Sequence, residues 1–302
     1  MIELTNLAAL EKLEKIDASI ITIGAFDGVH LGHQKLLARL VDESKTHKLK
    51  SIIFTFKNPP KSLISNNTLY SKKIITTAEK IELLKKFEVD YLINIDFNEG
   101  FKNISALEFI ENILIKKLNV KKIIVGYDFK FGKDKSGDYN LLGQVFKNNL
   151  IHIEPLMIDN EIVSSTLIKQ YFVNNKMKIV NKLLGYDYYF KGIVKSGRKI
   201  GRTIGFPTIN IDYSDEIIEI NGVYKVSVLY NNNLYKGVAN IGRIPTFDIT
   251  SRYIETYIFD FDKEIYGEEV KVYPEKFLRE IIKFKNLDEL KKQIIIDVFN
   301  CK

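Results

Sequence analysis

The sequence predicts an α/β domain followed by an all-β domain: a parallel sheet wrapped by helices, then a small antiparallel β-barrel with a closing C-terminal helix. Up to about residue 155, short β-rich runs alternate with amphipathic stretches, which places crossover helices between parallel strands. After about Gly185 the rhythm changes to period-two runs joined by turn residues, the pattern of antiparallel strands.

In chain order, residues 19–23, 51–56, 91–95 and 122–125 read as core strands, with a fifth around His152. Between them Leu36, Leu37, Leu40 and Val41 share one helical face, as do Ile81, Leu84 and Phe87. Ser105 and Glu108 have capping-box spacing ahead of a helix over 109–118. The boundary is expected in the polar helical stretch 174–184, giving domains of 1–184 and 185–302. Beyond it, 188–195, 223–230, 234–240 and 253–259 read as strands, and Asn231, Asn232 and Asn233 suit a hairpin turn because Asn tolerates positive φ. Residues 287–298 form the closing amphipathic helix.

A chain of 302 residues with 45% hydrophobic and 27% charged residues can bury a core in each of two domains, which excludes disorder. Its apolar runs, such as 20–23 and 52–54, fall far short of the roughly 20 residues that cross a bilayer. The opening MIELTNLAALEKLEK carries acidic residues early and lacks the layout of a signal peptide, so a cytoplasmic address is expected. The single cysteine, Cys301, excludes an internal disulfide and agrees with a reducing compartment. The net charge of +7 comes from scattered lysines, which describe a solvated surface that mildly attracts polyphosphates. A nucleic-acid-binding barrel is the rival class this charge allows, but no basic stripe interleaved with stacking aromatics supports it. Neither a nucleic acid nor a membrane is expected as a partner, and the sequence is silent on oligomeric state.

Chemistry concentrates in two segments. In the first, Gly24, Gly28 and Gly32 surround Asp27, His30 and His33, directly after a strand and at the start of a helix. Ligands of open parallel sheets bind beyond the carboxyl ends of strands, and a helix N-terminus offers free N–H groups to phosphate. Two imidazoles three residues apart there can both donate to charge developing on an α-phosphate as pyrophosphate leaves. A turn with two surface histidines is the plain alternative. It is disfavoured because two of only four histidines fall in this one loop. In the second segment, residues 197–210, the glycines let backbone approach a polyphosphate while Arg198, Lys199 and Arg202 supply charge. Thr208 and Asn210, two apart on an extended run, can turn both oxygens to one Mg²⁺. A basic turn followed by a strand is the alternative.

The run His30-Leu31-Gly32-His33 resembles the HxGH signature of the nucleotidyltransferase superfamily. GYDFKFG at 126–132, Gly137-Asp138, and VSSTLIK at 163–169 resemble the bacterial FAD synthetase branch. The resemblance implies a Rossmann-like domain in which Gly24, Phe26, Asp27, Gly28, Gly32, Ser164, Ser165, Thr166 and Lys169 bind ATP and Asp128 and Phe129 meet the flavin. Taken alone, Ser164, Ser165 and Thr166 read as an ordinary helix N-cap. Three positions depart from the branch. Ile162 and Lys169 stand where arginine is common, and Thr55-Phe56-Lys57-Asn58-Pro59-Pro60 stands where TFxPxP is usual. Lysine keeps the charge without the bidentate fork of arginine; isoleucine keeps neither.

The second half resembles riboflavin kinase through GVYKVSV at 222–228, GVANIGRIPTFD at 237–248, IETYIFDFDKEIYG at 254–267, and 279–284, all in family order. The resemblance implies Glu255 as catalytic base and Arg279 near the flavin. It places ATP at Gly197, Gly201, Arg202, Gly205, Pro207 and Thr208, and Mg²⁺ on Thr208 and Asn210. Asp260, Asp262 and Glu264 read as an exposed turn. Together the motifs resemble those of bifunctional riboflavin kinase/FAD synthetases. They imply phosphorylation of riboflavin to FMN, then adenylylation of FMN to FAD with release of pyrophosphate, with ATP as co-substrate and Mg²⁺ serving both steps. Because of Ile162 and Lys169, a riboflavin kinase with a weak or inactive adenylyltransferase half stands as the alternative.

Overall fold

The computed structural model describes residues 1–13, 16–58, 71–197, 200–243 and 252–301. It divides into two compact units, Met1–Ser165 and Thr166–Lys302. The division falls ahead of the expected boundary because the helices after Ser165 pack into the second unit: Met177, Val180, Leu183 and Leu184 are buried on one helical face, and Phe172 meets the Tyr188 ring edge-on at 4.7 Å.

The first unit comprises β1 (Ile2–Leu4), α1 (Leu7–Lys12), β2 (Ser19–Ile23), α2 (Leu31–His47), β3 (Lys50–Phe56), α3 (Thr77–Lys85), β4 (Tyr91–Ile95) and α4 (Glu99–Lys102). There follow α5 (Ala106–Glu108), which runs on as the wider π-helical turns Phe109–Lys117, then β5 (Val120–Gly126), α6 (Tyr139–Phe146), β6 (Leu150–Ile153), and a small hairpin of β7 (Met157–Ile158) and β8 (Glu161–Ile162). The six-stranded sheet has the order β1-β4-β3-β2-β5-β6, and its pairings are parallel. The order reverses about β2, so the crevice beyond β2 and β5 is the topological switch point where such sheets bind ligands. Both central strands are buried: Ile20 and Ile21 of β2 and Ile52, Ile53 and Phe54 of β3 have no exposed surface, and the Phe54 ring lies beside Phe101 and Phe109. The capping box of Ser105 and Glu108 is formed. Strand β1 was too short to stand out as a strand in the sequence.

Helix α7 (Ser165–Val173) spans the division between the units. The second unit continues with α8 (Met177–Leu184), β9 (Phe190–Ile193), α9 (Ile200–Thr203), β10 (Thr208–Asp212), β11 (Gly222–Tyr230), β12 (Asn233–Arg243), β13 (Arg252–Ile258), β14 (Glu269–Arg279) and α10 (Leu287–Phe299). Its antiparallel strands follow the order β10-β13-β12-β11-β14-β9. The barrel nearly closes where the Lys195 N–H donates to the Asn210 carbonyl at 2.7 Å. Asn231 and Asn232, at φ 47° and 60°, form the two-residue turn between β11 and β12, the left-handed pair such a hairpin requires. Cys301 is buried, and burial pushes its thiol up to about 11, so it stays protonated and inert.

Replacing Phe54 by alanine removes the ring on which three other phenylalanines close. It is expected to destabilise the first unit by about 3–5 kcal/mol, as read by urea denaturation.

Candidate active sites

In the first unit the loop after β2 turns back through three residues of positive φ, Phe26 at 49°, Gly28 at 77° and Val29 at 39°. A left-handed phenylalanine is strained, and the loop keeps it because the Phe26 ring is buried and fills the space above Gly24, where an added Cβ would come within 3.2 Å of the ring. The Asp27 carboxylate accepts from the Ile74 N–H at 2.8 Å, and the Ser165 hydroxyl donates to the Asp27 carbonyl at 2.9 Å. Asp27 and Ser165 thus fix the loop from two sides.

His30 is the N-cap of α2. Its Nδ1 accepts from the His33 N–H at 3.3 Å, so in the neutral ring the proton sits on Nε2, which remains a donor. The two rings stack 3.6 Å apart, and His33 also meets the edge of Phe26 at 5.1 Å. Burial lowers the His30 pKa to about 4, and burial, then His30 and Lys80, push His33 well below its usual value. Both imidazoles are therefore neutral at pH 7, and His33 Nδ1 is buried without a hydrogen-bond partner among the described residues. A Cβ on Gly32 would come within 3.2 Å of the His30 ring, so glycine is what lets the imidazole lie across the helix start.

The remaining expected residues are placed less uniformly. Ser164 is half-buried in the first unit; Thr166 and Lys169 continue α7 into the second, with Lys169 buried. Asp128 is exposed at the turn that follows β5. Phe129 stacks on Phe131 at 5.4 Å and packs against the core. Ile162 is an exposed apolar residue of β8. Pro59 and Pro60 lie outside the described residues.

In the second unit, register builds the site. Asn210 of β10 lies opposite Glu255 of β13, which lies opposite Asn240 of β12. Paired positions of neighbouring strands share a face, so the three form a row. All three line a cavity of about 430 Å³ whose other walls are largely apolar, among them Phe206, Tyr257 and Phe284. The Thr208 hydroxyl donates to Glu255 Oε1 at 2.9 Å. Thr208 also borders a second cavity of about 400 Å³, lined by Arg202, Pro207, Phe261 and Tyr266, and so sits at the junction of the two. Arg202 is exposed and paired with Glu264 at 2.7 Å, which gives one residue of the expected acidic turn a partner.

Two glycines permit close approach here, and a third takes up a left-handed backbone. A Cβ on Gly197 would lie 2.3 Å from Asn210 Nδ2, one on Gly201 would lie 2.2 Å from the Phe206 carbonyl, and Gly205 has φ 89°. Thr208 and Asn210 offer hard, neutral oxygens on one face, with room for phosphate and water oxygens around them, which suits Mg²⁺. Arg279 lines the larger cavity, but its guanidinium is held by Asp297 in a bidentate pair, Nε to Oδ1 at 2.9 Å and Nη2 to Oδ2 at 2.7 Å, which ties α10 to β14. Arg198, Lys199 and residues 244–248 of the GVANIGRIPTFD motif lie outside the described residues.

Sequence reasoning missed Lys80 and Asn240. Lys80 stands four residues before Leu84 on the apolar stripe of α3, and a lysine on such a stripe was the available signal. Asn240 shares a strand face with Val238 and Gly242, a polar interruption visible only once register is known.

Comparison with known proteins agrees with both halves. The FAD synthetase family model matches residues 12–167 and the riboflavin kinase family model residues 184–302. A protein of Buchnera aphidicola from Schizaphis graminum, named bifunctional riboflavin kinase/FMN adenylyltransferase, is 36% identical over 97% of this chain and 96% of its own. An Escherichia coli protein of the same name is 33% identical over 93% of this chain and 91% of its own. A crystal structure described as a macrolide-efflux protein from Streptococcus pneumoniae aligns with a TM-score of 0.86 at 32% identity, over 99% of this chain and 98% of that one. Among the described residues, no helix of this chain is long and apolar enough to cross a membrane.

The buried neutral His30 couples stability to pH. Its folded pKa of about 4 lies below the unfolded value of 6.5, so as pH falls through that window the unfolded chain binds a proton that the folded chain refuses. The first unit is expected to lose about 3 kcal/mol between pH 6.5 and 4 on this account. His30→Gln should flatten that loss when urea midpoints are compared at pH 7 and 4.5.

Proposed function

The chain belongs to the family of bifunctional riboflavin kinase/FMN adenylyltransferases, and from that premise we propose which of its residues carry each reaction. In the second unit the larger cavity receives riboflavin, its flat ring against the apolar wall, and the smaller receives ATP. The observation that carries this reading is Thr208 at the junction of the two cavities with its hydroxyl on Glu255. The Glu255 carboxylate takes the proton of the terminal ribityl hydroxyl, the freed oxygen bonds to the γ-phosphorus, and the bond to the β-phosphate oxygen breaks to release ADP. Thr208 and Asn210 would hold Mg²⁺, which when bound offsets phosphate charge. Arg279 acts by fixing α10 beside the cavity through Asp297.

In the first unit an FMN phosphate oxygen attacks the α-phosphorus of ATP and pyrophosphate leaves. His30 Nε2–H donates to the α-phosphate oxygens, which gather charge in that step, and stacked His33 holds the ring in place. The loop from Gly24 to Gly28, with Gly32, shapes the ATP site; Ser164 and Ser165 complete its phosphate end, and Asp128 and Phe129 border the flavin. The buried lone cysteine suits a cytoplasmic setting, and the reading requires no nucleic acid or membrane. One observation favours a second reading, in which adenylyl transfer is weak: exposed, uncharged Ile162 stands where the resemblance places arginine.

The assignment requires separable losses. His30→Ala is expected to lower FAD formation from FMN by about 10²- to 10³-fold while riboflavin phosphorylation stays within about twofold. Glu255→Gln should lower phosphorylation by about 10²- to 10⁴-fold and leave FAD formation from supplied FMN intact. Loss of both activities in either folded variant overturns the assignment of separate sites.

A further inference from the structure

We propose that Lys80 is a positioning residue of the adenylyl-transfer site: its ammonium clamps the chain ends of β2 and β3 together and sets a fixed positive charge behind the histidine pair. The inference rests on the reading of His30 and His33 given above.

Lys80 is only 6% exposed. A buried ammonium needs several acceptors, and this one finds three in the chain that leaves the two strands: the Phe56 carbonyl at 2.5 Å, the Thr55 hydroxyl at 3.2 Å and the Ala25 carbonyl at 3.3 Å. The Thr55 hydroxyl itself donates to the Ala25 carbonyl at 3.2 Å, which closes a triangle of bonds immediately before strained Phe26. The Gly24 N–H also donates to the Phe54 carbonyl at 3.0 Å, so backbone, the Thr55 hydroxyl and the ammonium together hold to β3 the turn that leads to His30. The clamp comes from α3, whose start is itself fixed by the Thr76 and Glu79 capping box.

The groups that face the ammonium come from several segments. Asp27 in the loop attracts its charge, and Lys73, from the segment ahead of α3, repels it. Lys57, after β3, lines the same small cavity as Asp27, Lys73 and Lys80. His33 on α2 is held neutral in part by Lys80. Glu79, the adjacent acid on α3, is turned to Thr76. Burial lowers the Lys80 pKa to about 8, so the ammonium is present at pH 7 and lost as pH rises above about 8. His30, with a pKa near 4, is already neutral throughout that range and contributes nothing to an alkaline change.

The test uses the full chain, in which riboflavin phosphorylation reports on the second unit of the same preparation. FAD formation from FMN, ATP and Mg²⁺ is measured from pH 6 to 10 for the wild type, Lys80→Met and Lys80→Arg. The wild type should show an alkaline decline in kcat/KM centred near 8. Lys80→Met should lower kcat/KM by about 10- to 100-fold, the scale of a lost set of charged hydrogen bonds, with phosphorylation unchanged. Lys80→Arg should recover part of the activity and abolish the decline, because guanidinium stays charged. FAD formation by Lys80→Met within about twofold of the wild type overturns the proposal, as does an alkaline decline unmoved in Lys80→Arg, which decides the matter even if the methionine variant fails to fold. A wild type that makes no FAD at all would instead overturn the underlying reading of the site.

Discussion

Burying polar groups at the carboxyl end of β2 is the constraint on which the first unit depends. His30 and Lys80 are buried there and find hydrogen-bond partners, whereas His33 is held neutral by burial of its ring and by its charged neighbours. The helix start gives His30 a backbone N–H, stacking on His30 shields His33, and strand-end carbonyls receive the Lys80 ammonium. The same crowding accompanies the left-handed Phe26 and leaves little room for a Cβ at Gly24 and Gly32, where one would come within 3.2 Å of the Phe26 and His30 rings. Hydrogen bonds to developing charge are strongest where the donor is already oriented, as the His30 Nε2–H is here.

The second unit solves a different problem by sheet register. One residue of slip between β10 and β13 would send Asn210 and Glu255 to opposite faces, so the hairpin turns and the closing bond from Lys195 govern the chemistry as much as the fold. The Asn231–Asn232 turn sets the β11–β12 pairing, and through β12 the position of Asn240 against Glu255. The Arg279–Asp297 pair performs the corresponding task at the open side, where α10 must stay beside the cavity although much of its own surface remains exposed.

Much of this was legible in the sequence because local signals and tertiary demands coincide. Isoleucine-rich buried strands, the shift from helical to period-two spacing and the asparagine turn each have a local cause, and the structure contains each of them. The missed pieces depend on distant partners. Strand β1 exists by pairing with β4, a partner far along the chain. The sites divide in the same way. His30, His33, Thr208 and Asn210 announce themselves by spacing, whereas the ammonium of Lys80 and the row completed by Asn240 arise from strands and helices far apart in the chain. Arg279 was visible as a charge, but its commitment to Asp297 required the fold.

One chain using ATP in two chemically distinct ways leaves a labelling signature, read by supplying purified protein with riboflavin, Mg²⁺ and ATP labelled either at the α- or at the γ-phosphorus and separating the flavins over time. FMN should carry only the γ label, followed by FAD that carries the γ-derived and α-derived phosphates in equal amounts. FMN that accumulates with γ label while no flavin acquires α label would overturn the two-step use of ATP.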